Sequence, residues 1–186
     1  MADVEEPVMD AMELSGRIVA RAAARGISIA VAESLTGGLV AETLVRTPGA
    51  SVVLRLGVVA YATEMKEQVL HVPSDLLEER GPVDPDVAIW MARGVRHLAA
   101  LDRSACTIGV ATTGVAGPGA QDDHAPGEFH IGIELETVDG LRSHASSHFE
   151  PGDREQVREA ALLAALRELD AALERTDLVM HSESKG

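Results

Sequence analysis

A chain of 186 residues, 46% apolar and 25% charged, has the length and composition of one globular domain and excludes a fibrous or wholly disordered protein. Its formal net charge of −14 argues against a broad nucleic-acid surface, which needs clustered Lys and Arg, but leaves room for a few donors around one small anion. Aromatics are only 2%, so the core must come from Ala, Val, Leu and Ile; the single cysteine, Cys106, excludes an internal disulfide and fits a reducing cytoplasm.

The chain begins Met1-Ala2-Asp3-Val4-Glu5-Glu6, without the basic start of a signal peptide, and no apolar run is long enough to cross a bilayer. A cytoplasmic protein without membrane association is expected. Residues 1–9 and 177–186 read as flexible ends around a single domain over 10–176. A first helix is predicted from Asp10 to Arg25 and stopped by Gly26. The apolar run from Ile27 to Ala32 reads as a strand covered on both faces. The turn Glu33-Ser34-Leu35-Thr36-Gly37-Gly38 follows, then a helix ending before Pro48-Gly49. A second strand covers Leu54 to Tyr61, and Thr63 reads as the N-cap of a short helix through Leu70.

Val87, Met91, Val95 and Leu98 form an apolar stripe on a helix over 86–101. A strand from Cys106 to Ala111 is predicted to empty into a Gly-rich loop, 112–119, with Cys106 as a small core residue and not a nucleophile. Phe129, Ile131, Ile133 and Leu135 alternate with polar or small residues, Asp139-Gly140 is a turn, and 141–149 returns; this hairpin, polar on one face, should lie towards a sheet edge. Asp153 and Gln156 match a capping box for a helix to Arg175 that turns Leu162, Leu166, Leu169 and Leu173 inward. The pattern implies an α/β fold with a mixed, mostly parallel sheet between helical layers. In such sheets ligands bind beyond the carboxyl ends of the parallel strands, where 33–38, 61–66 and 112–119 converge.

Each candidate group has a plainer reading. Ser34 sits at a strand-to-helix turn whose free N–H groups suit an oxyanion or phosphate, yet the same pattern describes a capped helix start. Lys66 is either a solvated lysine flanked by Glu64 and Glu67, which would raise its pKa, or a partly neutral general base near a helix N-terminus. Tyr61 is either a core aromatic or a polar group at the pocket edge. Thr112, Thr113, Gly114 and Gly117 can cradle an anion or serve only a tight excursion. Arg154, at the start of the last helix, is either neutralised by Asp153 and Glu155 or reserved for a phosphate. His130, His144 and His148 with Asp122, Asp123 and His124 suggest a metal cluster, but alternation along a polar strand face explains them equally, and no metal site is expected.

Four segments then stand in one register: Ala32-Glu33-Ser34-Leu35-Thr36-Gly37-Gly38, Gly57-Val58-Val59-Ala60-Tyr61-Ala62-Thr63-Glu64-Met65-Lys66, Thr113-Gly114-Val115-Ala116-Gly117-Pro118-Gly119, and Phe149 with Gly152-Asp153-Arg154. Their order and spacing resembles the CinA C-terminal domain family over most of the chain. The resemblance implies a three-layer α/β/α fold and a cofactor-free, metal-free homodimer of the stand-alone form. It implies an amidohydrolase that converts nicotinamide mononucleotide and water to nicotinate mononucleotide and ammonia. Ser34 matches the nucleophile, Lys66 its activator, and Tyr61, Thr113 and Arg154 positions of the same pocket. Glu33, Thr36, Gly37, Gly38, Thr112, Gly114 and Gly117 complete the expected binding set. The N–H groups of 36–38 are the expected oxyanion donors. Leu35 stands where the family usually has Cys, a change expected to matter little because that side chain should point away from the reaction; Asp84 stands where the family has Ser, Ala125-Pro126-Gly127 where it has Pro-Val-Gly, and Glu128 where Thr is common. These changes are expected at the rim, so an amidase for another small amide and a binding module without turnover stay open.

Overall fold

The computed structural model describes residues 10–121 and 124–180. Helix α1 (Ala11–Arg25) starts on a capping box between Asp10 and Glu13 and ends at the left-handed Gly26. Strand β1 (Ile29–Glu33) leads through the 34–38 turn into α2 (Leu39–Val45), and a 3₁₀ turn precedes β2 (Leu54–Val59). Helices α3 (Thr63–Leu70), α4 (Ser74–Arg80) and α5 (Pro85–Leu98) follow, then β3 (Ile108–Gly114), β4 (Glu128–Thr137), β5 (Gly140–Phe149) and α6 (Arg154–Glu174).

The five strands lie in the order β2-β1-β3-β4-β5. β1 pairs in parallel with β2 and β3, while β4 runs antiparallel to both β3 and β5. All five residues of β1 are buried, and they alternate between two cores. Ile29 and Val31 pack with Ile18, Leu44, Leu166 and Leu169 under α1, α2 and α6. Ala30 and Ala32 pack with Leu70, Met91 and Val95 under α3 and α5. The sheet is therefore sandwiched between helical layers, and the expected inward leucines of α6 are all buried.

Two local expectations are corrected. Ala62, not Thr63, is the N-cap of α3, and it offers no side-chain cap. β3 begins at Ile108 and continues to Gly114, so Thr112 and Thr113 are buried strand residues, not loop. The β4–β5 hairpin lies at one edge of the sheet as expected, with β5 outermost, and α5 covers the polar face of β4. Gly132 permits that cover, since a Cβ there would collide with the Ala88 carbonyl oxygen. The charges under α5 are paired: Arg93 Nε lies 2.7 Å from Glu134 Oε2, and Arg96 Nη2 lies 3.0 Å from Glu136 Oε2. No helix of the described residues is long and apolar enough to cross a membrane.

Candidate active site

The carboxyl ends of β1 and β3 open onto a cavity of about 310 Å³, within the range of small-ligand sites. Ser34 stands at its floor, with its backbone N–H donating to the Thr112 carbonyl at 3.1 Å. Its Oγ makes no hydrogen bond to a described residue. The turn beyond it folds by left-handed glycines, Gly37 at φ 62° and Gly38 at φ 105°.

The buried Glu33 carboxylate takes the helix-start donors for itself, accepting from Gly38 N at 2.9 Å, Val40 N at 3.1 Å and Ala41 N at 2.9 Å. Gly37 N donates to the Ser34 carbonyl at 3.1 Å. The free donors of the turn are therefore the N–H groups of Leu35 and Thr36, not those of the whole 36–38 stretch. Glu33, Thr36, Gly37, Gly38 and Thr112 are absent from the cavity wall of described residues. Glu33 caps α2, the Thr36 and Thr112 hydroxyls bond each other at 2.8 Å, and the two glycines shape the bend. These residues hold the turn that carries Ser34.

Lys66 is not a solvated lysine. It is 1% exposed, and its Nζ donates to the Pro82 carbonyl at 3.0 Å and to Thr113 Oγ1 at 2.6 Å. Desolvation lowers its pKa from 10.5 to about 7, so burial governs it and not the neighbouring Glu64 and Glu67. A neutral amine has two N–H groups and one lone pair. Both N–H groups are spent on Pro82 and Thr113, whose own hydroxyl donates to the same carbonyl at 2.6 Å. The lone pair is what remains for chemistry.

Tyr61 is no core aromatic; it is 59% exposed at the cavity mouth. Arg154 Nη2 donates to Tyr61 Oη at 2.9 Å and Nη1 to the Gly117 carbonyl at 2.8 Å, closing a polar rim with Gly114 and Gly117 in the wall. Of the expected set, Ser34, Lys66, Tyr61, Thr113, Gly114, Gly117 and Arg154 share one cavity. Two participants escaped sequence reading. Pro82 supplies a carbonyl from the segment before α5. Arg158 donates to the carbonyls of Leu35 at 3.2 Å and Thr36 at 3.1 Å, and its only signal was the i, i+4 spacing from Arg154.

Of the departures from the family pattern, Leu35 lines the cavity while Asp84 and Glu128 do not. Asp84 caps α5 through Asp86 N at 2.7 Å, and Glu128 Oε1 lies 3.0 Å from His124 Nδ1. His130 Nε2 lies 3.5 Å from the same Glu128 oxygen and its Nδ1 bonds Ser147 at 3.0 Å, while His144 bonds Glu168 at 2.9 Å and His148 stacks on Phe129. Among the described residues no three His, Cys, Asp or Glu side chains are arranged to hold a metal; Asp122 and Asp123 lie outside those residues. Cys106 is buried away from the cavity, and burial raises its thiol pKa, which suits an inert core residue.

The model of the CinA C-terminal domain matches residues 11–173. The chain belongs to the CinA C-terminal domain family. It is 44% identical over 162 residues to a CinA-like protein of Anaeromyxobacter sp. (strain Fw109-5), a match covering 87% of this chain and 37% of that protein. The chain thus spans little more than a third of that relative's length. Among solved structures, a CinA superfamily protein from Enterobacter cloacae superposes with a TM-score of 0.82 at 25% identity, covering 93% of this chain and 98% of that one. A competence/damage inducible protein from Agrobacterium tumefaciens gives 0.78 at 31% identity, covering 90% and 97%. The CinA fold thus coincides with the three-layer arrangement around the Ser34 cavity.

Proposed function

We propose that this CinA domain is a serine amidohydrolase that converts nicotinamide mononucleotide to nicotinate mononucleotide and ammonia. The observation that carries the reading is Lys66: an unpaired, buried lysine, its pKa lowered to about 7, in the cavity that holds an unbonded Ser34 hydroxyl. Ser34 Oγ attacks the carboxamide carbon and its proton passes to neutral Lys66. The oxyanion is met by the free N–H of Leu35, the donor of the turn that belongs to the cavity wall. The C–N bond breaks, Lys66 returns the proton, and ammonia leaves. Water then cleaves the acyl ester, giving its proton to the same amine and regenerating Ser34. Arg154, with Tyr61 at the mouth, supplies charge for the phosphate.

A binding module without turnover is the second reading, favoured by one observation: Lys66 Nζ bonds Thr113 and Pro82 but not Ser34. Ammonia release from nicotinamide mononucleotide by the purified protein separates them. We expect turnover that Ser34→Ala and Lys66→Ala each reduce by about 10³-fold or more. Unchanged turnover in either variant removes the dyad, and tight nucleotide binding by calorimetry with no ammonia from the parent establishes the module.

A further inference from the structure

We infer that Arg158 is a positioning residue for the oxyanion site, acting through two peptide units onto the Leu35 N–H. This rests on the amidohydrolase reading and extends it to a side chain outside the cavity wall. The connection is a chain of hydrogen bonds. Arg158 Nη2 donates to the Thr36 carbonyl at 3.1 Å. The same peptide unit carries the Gly37 N–H, which donates to the Ser34 carbonyl at 3.1 Å. That unit in turn carries the Leu35 N–H, and Leu35 lines the cavity beside the nucleophile. Each bond polarises the next in the same sense, so a guanidinium at one end makes the last N–H a stronger donor.

The geometry of the guanidinium supports this assignment. Its Nε donates to the Leu35 carbonyl at 3.2 Å, which fixes the plane of the unit carrying the Thr36 N–H. Its Nη1 is tethered by Glu155 Oε2 at 2.8 Å, so the fork is held on both sides. The bend it grips is set by the left-handed Gly37 at φ 62°, a conformation that L side chains rarely adopt. Glu33 completes the arrangement from the opposite side by engaging the N–H groups of 38, 40 and 41. Arg158 holds the carbonyls of the turn and Glu33 its surplus donors. The two N–H groups left over are those beside Ser34. A lysine at 158 reaches one carbonyl but not both, because only the planar fork offers divergent donors.

The test uses a fluorophosphonate, which reports Ser34 reactivity independently of amide turnover. Ser34 Oγ bonds to phosphorus, fluoride leaves, the hydroxyl proton goes to Lys66, and the P=O oxygen takes the oxyanion position. For Arg158→Ala we expect labelling of Ser34 and kcat on nicotinamide mononucleotide to fall together by about ten- to a hundred-fold. KM should stay within about twofold and the apparent pKa of the labelling rate should not move, since neither Arg154 nor Lys66 is touched. Arg158→Lys should recover part of the loss, which also guards against a variant that merely misfolds. Unchanged labelling in Arg158→Ala, a shifted pKa, or a parent whose Ser34 is not labelled overturns the inference. Labelling that falls as expected in a protein that releases no ammonia from the nucleotide leaves the inference standing and removes the amidohydrolase reading instead.

Discussion

Lys66 and Arg96 are buried to nearly the same depth, 1% and 2% exposed, yet their surroundings treat them oppositely. Arg96, under α5, faces two carboxylates, Glu134 at 3.8 Å and Glu136 at 3.0 Å. Lys66, under α3, has no carboxylate within ion-pairing distance among the described residues, only a hydroxyl and a carbonyl. A guanidinium stays charged and must be paired; an amine can shed its proton and be buried neutral. The pairing at Arg96 serves the packing of helix on sheet. The isolation of Lys66 weakens the fold and is useful only where a lone pair is needed.

The largest expected effect therefore lies in Lys66→Met. Amide turnover should fall about 10³-fold, while urea unfolding at pH 7 should show a gain of about 2 kcal/mol, because a desolvated amine is replaced by an apolar chain of similar size. A variant that is both inactive and less stable would erase the contrast. Arg96→Met should do the reverse. Losing the partner of buried carboxylates costs about 3 kcal/mol, with kcat of the folded protein unchanged.

The smallest effect, and the finest discriminator, is pH dependence. Burial lowers the folded pKa of Lys66 to about 7 from the ordinary 10.5, so between these values the unfolded chain binds more protons than the folded one. Stability contributed at this site rises with pH across that window. Turnover, which needs the neutral amine, rises through about pH 7. Unfolding curves measured at several pH values should keep the slope in Arg96→Met and lose it in Lys66→Met. A slope that survives in Lys66→Met would assign the titration to another group.

Much of the scaffold was legible because its signals are local. The Asp153–Gln156 box and the leucines at 162, 166, 169 and 173 determine α6 from within their own segment. Helix α4 was missed because it buries none of its residues and so carries no apolar stripe. The edge position of the β4–β5 hairpin was legible, but the cover of β4's polar face by α5, a distant element, was not; Gly109 and Gly132, both pressed against α5 backbone, were the available hint. The site divides along the same line. Ser34, Lys66, Thr113 and Arg154, singled out from motif and edge position, line one cavity. Glu33, Thr36 and Thr112 do not line it, and a motif does not reveal whether a polar side chain faces a cavity or the chain's own backbone. The burial of Lys66 depends on Pro82, sixteen residues further on, which no pattern around Lys66 records.

Glu33 also sets a polarity for whatever enters. A helix start is an attractive berth for an anion, but at α2 that berth is already filled by a carboxylate from the same chain. A negatively charged group arriving at the cavity floor would meet a spent dipole and an internal anion. The nearest unspent positive charge is at the mouth, on Arg154. Under the proposed function, a molecule with one anionic end and one neutral end would be sorted by orientation before any chemistry, its neutral end towards Ser34 and its charged end at the mouth by Arg154.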